Sequence, residues 1–410
     1  MQSVFSRDSK QTLTGDINMN IKSLLLGSAA AMFAVTGAYA ADIIVAEPEP
    51  VEYVRVCDAY GAGYFYIPGT QTCMRISGYV RADFGGGDNV GARYRGSVKR
   101  DTYDWRTRAT LFFHTASETD LGTLRTLIEL RSEWNNGQDG ASGQLRKGFI
   151  ELGGLRAGVD DTIFEHWTGY YGNVIHDDIM NPTDKRTNVI SYTYNAGNGF
   201  SAIIGIEQGN YGDSYDDEGF LITANSIRDK DYAPNVVGGL KFVQAWGGVS
   251  AVVGYDSNIA EWAGKVRADI NVTDQFSLWA MFGYKSGDDG IAEDNHTWQD
   301  APAIRGWYRV PVTQYGDWGG DWVAWIGGTY KFTPKTSFNF QTAYDDSDTF
   351  IASVNIAHEL VPGLTITPEL TYASWEDDAK RRDADGFITD KSSMKGQDAF
   401  QGMIRLQRSF

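Results

Sequence analysis

Arginines fall at even spacings in the first part of the chain: Arg75 and Arg81, Arg106 and Arg108, Arg125 and Arg131. Side chains alternate between the two faces of an extended segment, so the members of each pair share a face. A row of guanidiniums beside water does electrostatic chemistry: it attracts carboxylates and phosphates and orients dipoles. The opposite charge is concentrated further on, where Asp161, Glu165, Asp177, Asp178 and Asp184 fall within residues 161–186. Catalytic patterns are absent. His114, His166, His176, His296 and His358 are scattered without H-E-x-x-H spacing, and neither a G-x-S-x-G elbow nor a Walker loop occurs. The string RRDADGFITD has the outline of a calcium loop, but Arg381 stands at the first ligand position and Ser392 where a bidentate Glu belongs. The expectation is no enzyme, no metal and no cofactor.

Composition sets the elements that position those charges. With 47 glycines, 13% aromatics and only 10 prolines in 410 residues, the chain reads as many short strands and turns, an all-β protein. Residues 19–40, MNIKSLLLGSAAAMFAVTGAYA, have the basic start, short apolar run and A-x-A ending of a secretory signal cleaved after Ala40. Met19 then reads as the true start, and residues 1–18 as an upstream extension. The mature chain keeps 33 basic and 51 acidic residues, a net charge of -18, which argues against a nucleic-acid partner. No later segment is apolar for about twenty residues, so a membrane role requires a barrel. In an exported chain, Cys57 and Cys73 are expected to pair, closing a small loop worth about 3 kcal/mol. Without nearby histidines they do not complete a zinc shell.

Residues 41–72 lack sustained alternation and read as a periplasmic preface. From Cys73 the text changes: in CMRISGYVRADF, Arg75, Ser77, Tyr79, Arg81 and Asp83 oppose Ile76, Gly78, Val80, Ala82 and Phe84. DWRTRATLFFH and GTLRTLIELRSEW repeat the pattern. Sixteen such segments are expected between 73 and 410. Tight links such as Gly153-Gly154 and Val361-Pro362 alternate with long ones at 85–103, 134–143, 161–186, 208–233, 287–320 and 375–397, with two shorter exceptions at 257–260 and 346–347. Turns at one end and polar loops at the other describe a transmembrane β-barrel with periplasmic turns and external loops. Lipid offers no hydrogen bonds, so the sheet must close, and sixteen strands leave a water-filled lumen. The last segment alternates to a terminal aromatic, with Phe400, Gly402, Ile404, Leu406 and Phe410 on one face. Tyr192, Tyr194, Trp279, Trp325 and Trp375 are expected in interfacial girdles, with core packing the alternative for each.

The opening block ADIIVAEPEPVEYVRVCDAYGAGYFYIPGTQTCMRISGYVRADF and the closing QGMIRLQRSF resemble the alphaproteobacterial, rhizobial-type outer-membrane general porins, and the strand pattern extends the resemblance over 41–410. The resemblance implies a homotrimer in outer-membrane lipid and lipopolysaccharide, passing small hydrophilic solutes and ions by passive diffusion. It also implies a third long loop folded inward. Arg81, Arg106, Arg108, Arg125 and Arg131 would then face Asp161, Glu165, Asp177 and Asp178 across a constriction, with a transverse field between them. The alternative is that the arginines only solvate the lumen and the acids form an external loop. A barrel enzyme would need a catalytic set near strand ends, and a soluble β-sandwich adhesin would place its charges outside and large aliphatics inside. Ion preference is pulled both ways, by the acidic net charge and by the arginine-lined wall.

Overall fold

Alternation from Cys73 onward forces long strands whose two faces differ in polarity. The computed structural model describes residues 55–92, 97–100, 103–169, 172–177, 179–182, 185–209, 212–215, 221–227, 232–287, 289–294, 306–311, 313–376, 381–382, 388–389 and 394–410. Residues 1–54, with the expected extension, signal and cleavage site, lie outside them. The strands are β1 (Cys73–Gly87), β2 (Tyr103–Thr119), β3 (Gly122–Asn135), β4 (Gln138–Leu152) and β5 (Leu155–Asp161). A short helix, α1 (Ile163–His166), precedes β6 (Arg186–Asn195), β7 (Phe200–Glu207), β8 (Asn235–Gln244), β9 (Gly247–Asp256), β10 (Glu261–Asn271) and β11 (Phe276–Lys285). Then come β12 (Trp322–Thr333), β13 (Thr336–Asp345), β14 (Thr349–Val361), β15 (Leu364–Trp375) and β16 (Gln397–Ser409).

Each strand pairs antiparallel with the next, and β16 returns to β1 in a register running from Tyr79 opposite Ser409 to Gly87 opposite Gln401. Phe410 completes the seam: its N–H donates to Gly78 O at 3.0 Å and its carbonyl accepts from Gly78 N at 2.9 Å. Closure leaves the barrel sheet without an edge, which a lipid-embedded sheet requires. The outward positions are apolar and exposed, as at Ile76, Val80 and Phe84 on β1, Ile190 and Tyr192 on β6, and Ile404 on β16. The inward positions carry the polar alternates, Arg75 to Asp83 among them.

At one end the links are short: 120–121, 153–154, 196–199, 245–246, 272–275, 334–335 and 362–363. At the other end, one expected long loop is absent. Residues 134–143 are strand, and the turn is only Asn136 and Gly137, both with positive φ (47° and 84°). Asn-Gly is the pair that adopts this hairpin turn at least cost, and register shifts near Leu130 and Glu133 had blurred the alternation around it. Three of the remaining loops carry two-stranded hairpins, 212–215 with 221–227, 289–294 with 306–311, and 381–382 with 388–389.

The Cys57–Cys73 disulfide is formed, with Cα atoms 6.1 Å apart, and ties the preceding segment to the first residue of β1. Phe65 and Tyr66 of that segment pair with Met74 and Cys73, a short strand that its irregular sequence had not announced. Trp279, Trp325 and Trp375 are not girdle residues. They are buried inside the barrel, because each falls on the inward alternate of its strand. Tyr192 and Tyr194 do face outward and are exposed.

Candidate functional site

The link between β5 and β6, residues 162–185 and here called L3, is folded into the barrel. Thr162 caps α1, its Oγ1 accepting from Glu165 N at 3.1 Å, and the first turn drives Ile163 and Phe164 into the wall, where both are fully buried. The wall is shaped to take them. A Cβ on Gly205 would lie 2.3 Å from Ile163, and one on Gly239 would lie 2.4 Å from Trp167, so these two wall positions admit only hydrogen.

Polar groups of the wall hold the loop along its length. On β7, Glu207 Oε1 accepts from Ile163 N at 2.6 Å. On β15, the Glu369 carboxylate accepts from Ile175 N, from His176 N at 2.8 Å and from Asn355 Nδ2 at 2.9 Å, with His176 Nδ1 3.0 Å away. Trp325 Nε1 donates to Met180 O at 2.8 Å, and Asn173 reaches Thr329 Oγ1 at 3.2 Å. A buried carboxylate that accepts several N–H groups is a fixed anchor, since losing it strands every donor at once.

A second segment folds inward beside L3, within the link 287–320 expected to be an external loop. Tyr315 and Trp318 of residues 313–321 are buried. Tyr315 donates its hydroxyl to Glu207 Oε2 at 2.9 Å and stands 5.2 Å from the Phe164 ring. Burial, and then Glu207 beside it, push the Tyr315 phenol above its ordinary value. Trp318 meets Trp325 edge-on at 5.8 Å, and Lys185 of L3 ties the two segments together, bonding Thr313 O and Asp317, each at 2.9 Å. The signal that could have found this segment is a pair of large aromatics within an otherwise Gly- and Asp-rich link, which would be costly to leave in water.

The opposite wall, β16 with β1 to β3, carries the arginines. Asp83 bridges Arg106 and Arg405, each at 2.7 Å. Arg108 pairs with Glu133, Arg131 reaches Glu129 at 3.1 Å, and Arg81 donates to Gln407 at 2.9 Å. Arg125 lies nearer the short-turn end, with Ala116 and Glu151 as its cross-strand neighbours. Of the acids expected in the loop, Asp161 closes β5 and pairs with Lys147, while Glu165 lies within electrostatic reach of Lys265 on β10. Asp177 lies in L3 between the Glu369 anchor and Met180. Asp178 and Asp184 fall outside the described residues. His166, whose Nδ1 is 2.9 Å from Thr162 O and 3.1 Å from Asp161 O, is held below the ordinary histidine range by burial. The wall carboxylates Asp83, Glu129 and Glu133, read from sequence only as members of a polar face, are thus bonded into the arginine row.

A barrel of this geometry, half filled by its own loops, has clear relatives. The family model described as the porin subfamily matches residues 42–403. Porin Omp2b of Brucella suis is 47% identical over 408 residues, covering 96% of this chain and all of the relative, and Porin Omp2b of Brucella abortus (strain 2308) is 48% identical over 403 residues, with the same coverage. Among solved structures, the outer membrane channel DcaP of Acinetobacter baumannii is similar in fold, with a TM-score of 0.57 at 16% identity over 84% of this chain and 99% of that one. Sequence, closed barrel and inward loop lead to one assignment: the chain belongs to the porin subfamily of the alphaproteobacteria and forms an outer-membrane channel.

Proposed function

We propose that small hydrophilic solutes and ions cross along the face formed by β16 and β1 to β3. Arg81, Arg106, Arg108, Arg125 and Arg131 supply one side of the field there, and Asp161 at the end of β5 with Glu165, Asp177 and Asp178 of L3 supply the other. The observation that carries this reading is the unequal filling of the lumen: L3 and residues 313–321 pack against β7 to β15, while the side chains of Arg106, Arg108 and Arg131 on the arginine face keep partial exposure, 32%, 15% and 16%. Water and polar solutes align across such a field, and apolar ones lose more hydration than they regain. Because Asp83, Glu129 and Glu133 offset part of the arginine charge, the field is transverse and ion preference is weak. Single-channel recording in a salt gradient tests this. Stepwise openings with a small reversal potential are expected, and well-folded protein that gives no steps would overturn it.

The assembly is proposed to be a homotrimer whose loop rim meets lipopolysaccharide. Unboiled gel migration and sedimentation in detergent read the trimer directly. The exported form is proposed to begin at Ala41, with residues 1–18 outside the translated chain and 41–72 at the periplasmic mouth. The mass of protein taken from the membrane decides that point.

A further inference from the structure

We infer that the periplasmic half of the channel contains an anion subsite beneath L3, taking a small solute that bears a phosphate or carboxylate. A cavity of ≈ 480 Å³ opens at the short-turn end, floored by Gly153 and Gly154 and roofed by His166 and Trp167 of L3. Three cations line it, and they are not equivalent. Arg156 is already spent: its guanidinium bonds Glu151 at 2.5 and 3.0 Å and Asp160 at 2.6 Å. The Arg125 side chain makes no hydrogen bond or ion pair among the described residues, although Glu151 is its cross-strand neighbour, because Arg156 holds that carboxylate. Lys241 lies over the Trp167 ring, 4.6 Å from its centroid, and likewise forms no ion pair among the described residues. The exposed Arg125 and the half-buried Lys241, the latter only partly offset by Asp269, therefore share one concave space with the hydroxyls of Ser191 and Thr193.

An anion is the complement of that lining. The cations supply attraction, the hydroxyls supply neutral donors, and the single lining carboxylate is neutralised by Arg156. The site is reached from the turn end, so binding is sided: a solute arriving from the periplasm meets it before the L3 constriction. This inference rests on the channel reading above and adds a position, a charge and a direction to it.

The test is current block by inorganic phosphate, added to one chamber of a planar bilayer that holds the mature protein in potassium chloride. Each variant is normalised to its own open current. Block is expected from the turn side at lower concentration than from the loop side, and it should weaken as chloride salt is raised. Screened contacts of this kind are individually weak, so Arg125→Gln or Lys241→Gln should raise the half-blocking concentration roughly threefold, and the double variant about tenfold. Lys99→Gln, a charge change at the loop rim beside Asp88, should leave block unchanged. Open steps with no block, equal block in the double variant, or equal loss in Lys99→Gln would overturn the subsite. A lack of steps altogether would overturn the channel reading beneath it.

Discussion

The two sides of the lumen are built from the same alternation and end in opposite states. On β6 to β10 the loop side chains seat on small or aliphatic inward positions, Val189, Ser191, Ile203, Gly205, Val237, Gly239, Val252, Gly254 and Ala263, set between charged ones such as Glu207, Lys265 and Arg267. On β1 to β3 and β16 the inward positions include long arginines and their carboxylates, which leave no flat seat for a loop. Small inward side chains therefore mark where a loop can seat. One wall holds the obstruction still, and the other meets what passes. Variants on the first should change stability and loop position. Variants on the second should change permeation with a smaller effect on stability.

The largest effect should come from Trp325→Ala. That indole is fully buried, meets Trp318 and holds Met180 O, so its removal leaves a cavity and a stranded carbonyl at a cost of about 3–5 kcal/mol. Denaturant titration in detergent reads that loss. Glu369→Gln should rank second, at about 2–3 kcal/mol, because an amide presents hydrogens to donors that need acceptors. The L3 tip should then become open to protease and the open-channel current noisier, while the barrel itself survives. Unchanged noise would mean that Glu369 is not the loop's anchor. On the arginine wall, Arg108→Gln should move the reversal potential toward cations and cost about 1–2 kcal/mol, since its partner Glu133, 13% exposed, is left with little water to replace the guanidinium. If Arg108→Gln destabilised the barrel as much as Trp325→Ala, the contrast between the walls would fail.

How far the sequence discloses this architecture follows from what alternation encodes. Period two reveals strand faces, so the arginine row of β1 to β3 and the outward apolar face of β16 were legible, as was the place of nearly every turn. It does not say which polar face will receive a loop. Glu207 and Glu369 look like any inward carboxylate until L3 lies across them, and Trp325 looks like a girdle residue until its strand's parity is fixed. Bulges hide parity locally, which is why the Asn136-Gly137 hairpin read as a loop. The inward course of 313–321 depends on Gly254 and Gly283 leaving room for Tyr315 and Trp318 from distant strands. Such pairing is tertiary and has no local signature.

The smallest predicted effect lies where the two sides meet, at His166. Its Nδ1 faces the carbonyls of Asp161 and Thr162, so it carries the proton and donates, and the ring is neutral in the folded loop. Burial lowers its pKa, while Asp160 pulls the other way and only partly offsets it. A base with a depressed folded pKa binds its second proton first in the unfolded chain. Stability is therefore intact above the ordinary histidine value of about 6.5 and falls as pH drops through it toward the lower folded pKa. Carboxylates titrate over part of the same range, so the comparison must be with His166→Gln, which keeps a hydrogen-bond donor and does not titrate. Between pH 7.5 and 5.5 the wild type should lose more denaturant stability than the variant. An equal loss would assign the whole pH response to the acids and leave His166 a neutral strut of the loop.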